Sequence, residues 1–207
     1  AINSYAVRYN WAETTSTTAA SALAAIDVDL LIMGSVFGVH TGTDQGFSVS
    51  NIAAIKAGTP GTGPKTVIGY MSVGAVISGL DRVERGDFGT ALFGASTSDS
   101  KWVNYWGTES QSYNPVVLAA LKTWVRDLKT NGFDGAFLDV MNSYDGFAAV
   151  LAEIPGDTTR DKYLKATTAL LTILDELDKY IRSPDGLNDP NFKLVLGHNP
   201  GLIGHYR

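Results

Sequence analysis

The carboxylate best placed to do chemistry in this sequence is Asp139. It ends the apolar run Ala136-Phe137-Leu138 inside NGFDGAFLDVMNSYD, residues 131–145, with a Gly turn before it and a polar loop after. A short buried strand that carries an acid to its C-terminal end is how a (β/α)8 barrel places reacting groups. A carboxylate held there can act as nucleophile or general base, provided a second group is kept protonated as the acid. Its plainer reading is a carboxylate that caps a helix or bonds loop amides. Asp134 opens the same strand, at the end of such a barrel that serves stability, and reads as structural. A partner acid for Asp139 would have to come from Asp145, Asp81, Glu84 or Glu109. Each of these reads first as a solvated loop charge.

Other chemistries find less support. His40, His198 and His205 stand in unrelated contexts without HxH or HExxH spacing, so no metal site is expected. Ser72 lies in Met-Ser-Val-Gly, not in a Gly-x-Ser-x-Gly elbow, which removes the serine hydrolase reading. The turn cluster GTPGTGP, residues 58–64, lacks the Gly-Lys-Ser/Thr ending of a phosphate loop, and Pro60 and Pro64 remove backbone donors. No cofactor is expected. Aromatic residues gather near predicted strand ends: Tyr9, Trp11, Tyr70, Tyr105 and Trp106. Such rings make stacking platforms, although Tyr70, like Trp102, reads first as core.

The elements that must position these groups alternate. SYAVRY (4–9), VDLLIM (28–33), KTVIGYMS (65–72), KWVNYW (101–106), the Asp139 run and FKLVL (192–196) read as six strands, with KWVNYW fourth and the Asp139 run fifth. Helices are predicted over 17–26, 49–56, 115–130 and 158–181. Val116, Leu118, Leu121, Trp124, Val125 and Leu128 form the stripe of the third, which Asn131-Gly132 stops. Leu164, Leu170, Leu171, Leu174, Leu177 and Tyr180 form the stripe of the fourth, and Pro184-Asp185-Gly186 breaks it. Residues 76–100 read as an elaborated loop. Strands alternating with helices, without hairpin turns, imply a parallel sheet. The expected fold is therefore α/β, a (β/α)8 barrel in a single domain over 1–207. Six strands do not close it, so either the chain is incomplete at its C-terminus or two short strands are hidden in the irregular stretches. An open flavodoxin-like sheet is the alternative. An unclosed barrel exposes sheet edges, which favours self-assembly or association with another chain or domain.

The totals agree with a globular chain. Of 207 residues 44% are hydrophobic, and 16 Lys+Arg stand against 21 Asp+Glu, which leaves no basic stripe for nucleic acid. No apolar run approaches the roughly 20 residues of a membrane span. There are no cysteines, so disulfides and thiolate metal sites are excluded, and the low charged fraction of 18% leans towards an extracellular or cell-surface protein. The sequence starts at Ala1, not Met, as expected of a mature or excised segment.

GFDGAFLD (132–139) resembles the GFDGVFLD segment of the endo-α-1,4-polygalactosaminidase family of glycoside hydrolases, whose members form (β/α)8 barrels. IGYMSVG (68–74) is similar to that family's third-strand YxSxG stretch, and VLGHN (195–199) resembles its strand ending in Gln-Asn. The resemblance runs in order from Tyr5 to Asn199. It implies an enzyme that hydrolyses a galactosamine-type polysaccharide, with Asp139 as its catalytic carboxylate. On that reading Tyr9, Trp11 and Trp106, near predicted strand ends, would stack on sugar rings, and Ser72, Asn142, His198 and Asn199 would orient the substrate. Two carboxyl groups are needed, roughly 5–5.5 Å apart for retention or 6.5–9.5 Å for inversion. The sequence departs where the family places Glu directly after YxSxG, because Gly74 is followed here by Ala75. An unreplaced loss of the acid would leave a catalytically inactive glycan-binding or surface-structural module on the same barrel.

Overall fold

The structure, a computed structural model, describes residues 2–8, 17–34, 47–73, 75–77, 93–96, 100–103, 105–107, 112–139 and 154–197. Among the described residues the elements follow in the order β1 (Tyr5–Arg8), α1 (Thr17–Ala24), β2 (Leu30–Gly34), α2 (Val49–Ala57), β3 (Thr66–Ser72), β4 (Ala75–Ile77), β5 (Phe93–Ser96), β6 (Ser100–Val103), α3 (Pro115–Thr130), β7 (Gly135–Asp139), α4 (Thr159–Arg182) and β8 (Lys193–Leu196). Five of the strands form one sheet in the order β1-β2-β3-β7-β8. β1 pairs with β2, and β2 with β3, in parallel. Along β3 and β7 the bonds advance in the same direction on both strands, from Asp134 N–H to the Val67 carbonyl and from Val73 N–H to the Asp139 carbonyl. The same holds for β7 and β8, from Lys193 N–H on Asp134 to Gly197 N–H on Leu138. The sheet is parallel throughout, and helices separate its strands in the chain, as an α/β fold requires. Among the described residues it is not closed into a barrel.

This order corrects the sequence reading in two places. β6, which overlaps the stretch 101–106 predicted as the fourth parallel strand, pairs antiparallel with β4 and β5 in a separate sheet of order β4-β6-β5. The physical reason is distance along the chain. Only residues 97–99 separate β5 from β6, and a parallel pair needs a crossover of about a dozen residues or more. The run ending in Asp139 is accordingly fourth in the parallel sheet, directly beside β3, and not fifth. The second concerns residues 76–100, read as an elaborated loop: β4 reaches into this stretch and β5 lies within it, so short strands are hidden there, but they join the antiparallel sheet and do not extend the parallel one.

The chain divides into two compact units. The first comprises Ala1–Met71, Val125–Phe137 and Asn191–Val195. Its core is built from Leu23 of α1, Leu31 and Met33 of β2, Ile52 and Ile55 of α2, Ile68 and Met71 of β3, and Leu128 of α3, all fully buried. Three of four consecutive residues on β2 and on the start of β3 are inaccessible, the pattern of strands covered on both faces. The second unit comprises Ser72–Trp124, Leu138–Pro190 and Leu196–Arg207. Here α3 buries Val117, Leu118, Leu121 and Trp124, while Val116, placed in its stripe by the sequence, is 47% exposed. Thr158 caps α4 by accepting from Asp161 N–H at 3.1 Å, and its hydroxyl donates to the Asp161 carboxylate at 2.7 Å. The buried stripe of α4 is Ala166, Ala169, Leu170, Ile173, Leu177 and Ile181. Leu164 and Leu171 are 48% and 60% exposed, contrary to the predicted stripe. A count of leucines follows a face rotated away from the one whose period runs through the two alanines. Among the described residues no helix is long and apolar enough to cross a membrane.

Candidate functional site

Asp139 is the last residue of β7, at the C-terminal end of the parallel strands. Alternation along the strand puts Phe137 and Asp139 on one face and Ala136 and Leu138, both fully buried, on the other. The Asp139 side chain is half-buried. Its backbone carbonyl accepts from Val73 N–H at 3.0 Å, just past the end of β3, and on the other side Leu138 O accepts from Gly197 N–H at 2.7 Å. The end of the strand is thus tied to both neighbours, which fixes the height at which the carboxylate emerges. Lower on the same face of β7, Phe137 stacks on Tyr70 of β3, with ring centroids 6.1 Å apart and planes inclined by 23°. Tyr70 was read from the sequence as core. It is half-buried, and its ring contact lies in the first unit.

Of the other predicted site residues, Trp106 is described. It is half-buried, and the Lys165 ammonium of α4 lies 5.3 Å from its ring centroid, a cation–π arrangement inside the second unit. Ser72 ends β3, and Ala75 opens β4, so the position that the resembled family gives to Glu starts a strand of the antiparallel sheet. Tyr9, Trp11, Asn142, His198 and Asn199 lie outside the described residues, as do the acids Asp81, Glu84, Glu109 and Asp145. Among the described residues no group of three His, Cys, Asp or Glu side chains could hold a metal ion.

The opposite end of the sheet carries a set of charges of which the sequence reading singled out Asp134 alone, as structural. An open depression of about 490 Å3 there is lined by Ile2, Asp29, Lys56, Lys65, Asp134 and Lys193, among others. Most of these charges hold the fold. Asp29 accepts from Asn3 N–H at 2.7 Å and from Ser4 N–H at 3.1 Å, which ties the start of β1 to β2. These backbone bonds hold its carboxyl below the ordinary value of 3.8. Lys65 is only 5% exposed, and its ammonium donates to the carbonyls of Ala24 and Ile26 at 2.6 and 2.7 Å, which serves the C-terminal end of α1. Burial pulls its pKa below the ordinary 10.5, against the opposing charge of Asp27. Asp134 accepts from Lys56 Nζ at 2.5 Å and from Val67 N–H at 2.9 Å. The only sequence signal for Lys65 is a lysine between a turn proline and an apolar strand. Lys56 announces itself only as a basic residue in the last turn of a helix.

The fold is that of glycoside hydrolase domains. The glycoside hydrolase domain of PelA from Pseudomonas aeruginosa superposes with a TM-score of 0.59 and 18% identity, covering 96% of this chain and 60% of that one. Ega3 from Aspergillus fumigatus, solved in complex with galactosamine, superposes with a TM-score of 0.53 and 15% identity over 92% of this chain and 57% of that one. At these identities the likeness is one of fold. The chain spans about 60% of the length of the PelA domain. No family model and no curated protein matches the sequence.

Proposed function

We propose that the chain is a glycoside hydrolase-like domain of the polygalactosaminidase type, one domain over residues 1–207, acting outside the cell on a galactosamine-type polysaccharide. The observation that carries this reading is Asp139, a half-buried carboxylate at the C-terminal end of the fourth parallel strand, in a fold shared with glycoside hydrolase domains. Asp139 acts as nucleophile or base. The candidates for the second carboxyl group are Asp81, Glu84, Glu109 and Asp145. Tyr9, Trp11 and Trp106 supply stacking area, and Ser72, Asn142, His198 and Asn199 orient the substrate.

A second reading is favoured by Ala75, which stands where the resembled family has Glu. On that reading the domain binds the polysaccharide without cleaving it, alone or in association with another chain.

Incubating the wild-type chain and Asp139→Asn with a galactosamine-containing polysaccharide, followed by mass spectrometry of released oligosaccharides, separates the two. Release by the wild type alone supports the hydrolase. Retention on the polysaccharide without release by either supports the binding module. Neither release nor retention refutes both.

A further inference from the structure

The Gly-Phe-Asp-Gly segment that begins the Asp139 strand lies at the far end of that strand from the carboxylate, yet all four of its residues are committed. Gly132 stops α3 with φ +90, a conformation that suits glycine, and donates to Lys129 O at 3.0 Å. Phe133 is 2% exposed. Asp134 bonds to three elements at once. Its N–H donates to Val67 O at 2.8 Å while its carboxylate accepts from Val67 N–H at 2.9 Å, so one residue of β3 is gripped from both sides. Its carbonyl accepts from the N–H of Lys193, the first residue of β8, at 2.8 Å. Lys56 of α2 holds the second carboxylate oxygen at 2.5 Å and also donates to Gly132 O at 3.2 Å. At Gly135 a Cβ would run into the Lys193 carbonyl oxygen and lie 2.8 Å from the Lys193 Cβ.

We propose that Asp134, held by Lys56, is a positioning residue that sets the register of β7 against β3 and β8, and so the face and height at which Asp139 emerges. A slip of one residue would turn Asp139 to the opposite face, and a slip of two would move it by roughly 6–7 Å. Gly135 acts in the same sense, because either neighbour shifted into its place would bring a side chain against β8. The effect on turnover rests on the hydrolase reading given above, but the register does not.

The test compares Asp134→Asn, Lys56→Met and Lys56→Arg with the wild type by residue-resolved amide hydrogen exchange and by initial rates of polysaccharide cleavage. Asp134→Asn and Lys56→Met are expected to speed exchange at the amides of residues 134–139 while β1 and β2 keep their protection. They lower kcat about 100-fold with KM unchanged, the scale of a misplacement of about 1 Å. Lys56→Arg, which keeps the ion pair, restores both. Uniformly faster exchange, or an unchanged kcat per folded molecule, overturns the proposal. If Asp134→Asn does not fold, the Lys56 pair of variants decides, since that side chain is half-exposed. If the wild type releases no product, the hydrolase reading fails. The exchange pattern then decides alone, with loss confined to β7 supporting the register role and uniform loss refuting it.

Discussion

Gly135→Ala isolates the close approach of β7 to β8. The φ of Gly135 is not in the left-handed region, so alanine meets no backbone strain and only the added methyl matters. That methyl would meet the Lys193 carbonyl oxygen, and it would sit 2.8 Å from the Lys193 Cβ and 2.9 Å from its carbonyl carbon. Carbon atoms in contact prefer about 3.5–4.0 Å, so β8 must retreat by roughly 1 Å. The bond from Lys193 N–H to Asp134 O, now 2.8 Å, would then open beyond hydrogen-bond range. Overpacking of this kind costs about 1–3 kcal/mol and the lost bond about 0.5–1.5 kcal/mol. The smaller conformational freedom of unfolded alanine returns about 0.4–1 kcal/mol. The net loss is about 2–3 kcal/mol, which for a chain of this size lowers Tm by about 4–12 °C. Thermal unfolding followed by far-ultraviolet circular dichroism reads it directly. A Tm equal to that of the wild type would show that β8 yields without resistance, and the argument from close approach would be lost.

Further expectations follow from the same contacts. Ile173→Ala, in the buried stripe of α4, should cost about 2–5 kcal/mol in a denaturant titration, while Leu171→Ala, 60% exposed, should cost less than about 0.5 kcal/mol. Equal costs would contradict the helix orientation. Lys65 has a folded pKa below its unfolded value of 10.5, so the unfolded chain binds the extra proton between the two. The stability of the wild type relative to Lys65→Met should therefore rise with pH through that window, and denaturant titrations that show a fall would refute the assignment. Asp29 has the opposite linkage. Its contribution is present above 3.8 and lost as pH falls through the lowered folded value. The stability gap between wild type and Asp29→Asn should therefore narrow in acid, and a gap unchanged across that range would refute the bonds to Asn3 and Ser4 as its source.

What could be read in advance was whatever depends on local pattern. The bounds of α3, Pro115–Thr130, are legible because its apolar period and the Asn131-Gly132 stop agree. The position of Asp139 at a strand end was legible for a similar reason, since an apolar run closed by a carboxylate and a polar loop allows few other readings. The parallel pairing was legible from the alternation of strands and helices, but the antiparallel sheet was not. Nothing in the sequence of Phe93–Ser96, with its glycine and small residues, marks it as the partner that draws Ser100–Val103 into an antiparallel sheet, and strand pairing depends on such non-local neighbours. The face of α4 was legible only in part, at Leu170 and Leu177, because burial of Ala166 and Ala169 is set by how closely the helix is packed and not by side-chain hydrophobicity. The roles of Lys56 and Lys65 were hidden for the same reason. A lysine becomes a cap or a clamp only once distant carbonyls and a carboxylate have been brought to it.

In the parallel sheet every strand pairs with the parallel strand made just before it during synthesis. Tyr5 meets Leu30, Leu30 meets Thr66, and the β3, β7 and β8 contacts continue the series. Each new strand finds its template already present, so the sheet can grow by accretion from the ribosome without waiting for distant sequence. The antiparallel trio β4-β6-β5 is a detour between two steps of that growth. Because loop-closure entropy rises only slowly with length, such a detour can lengthen or shorten over evolutionary time at little cost to the strands on either side.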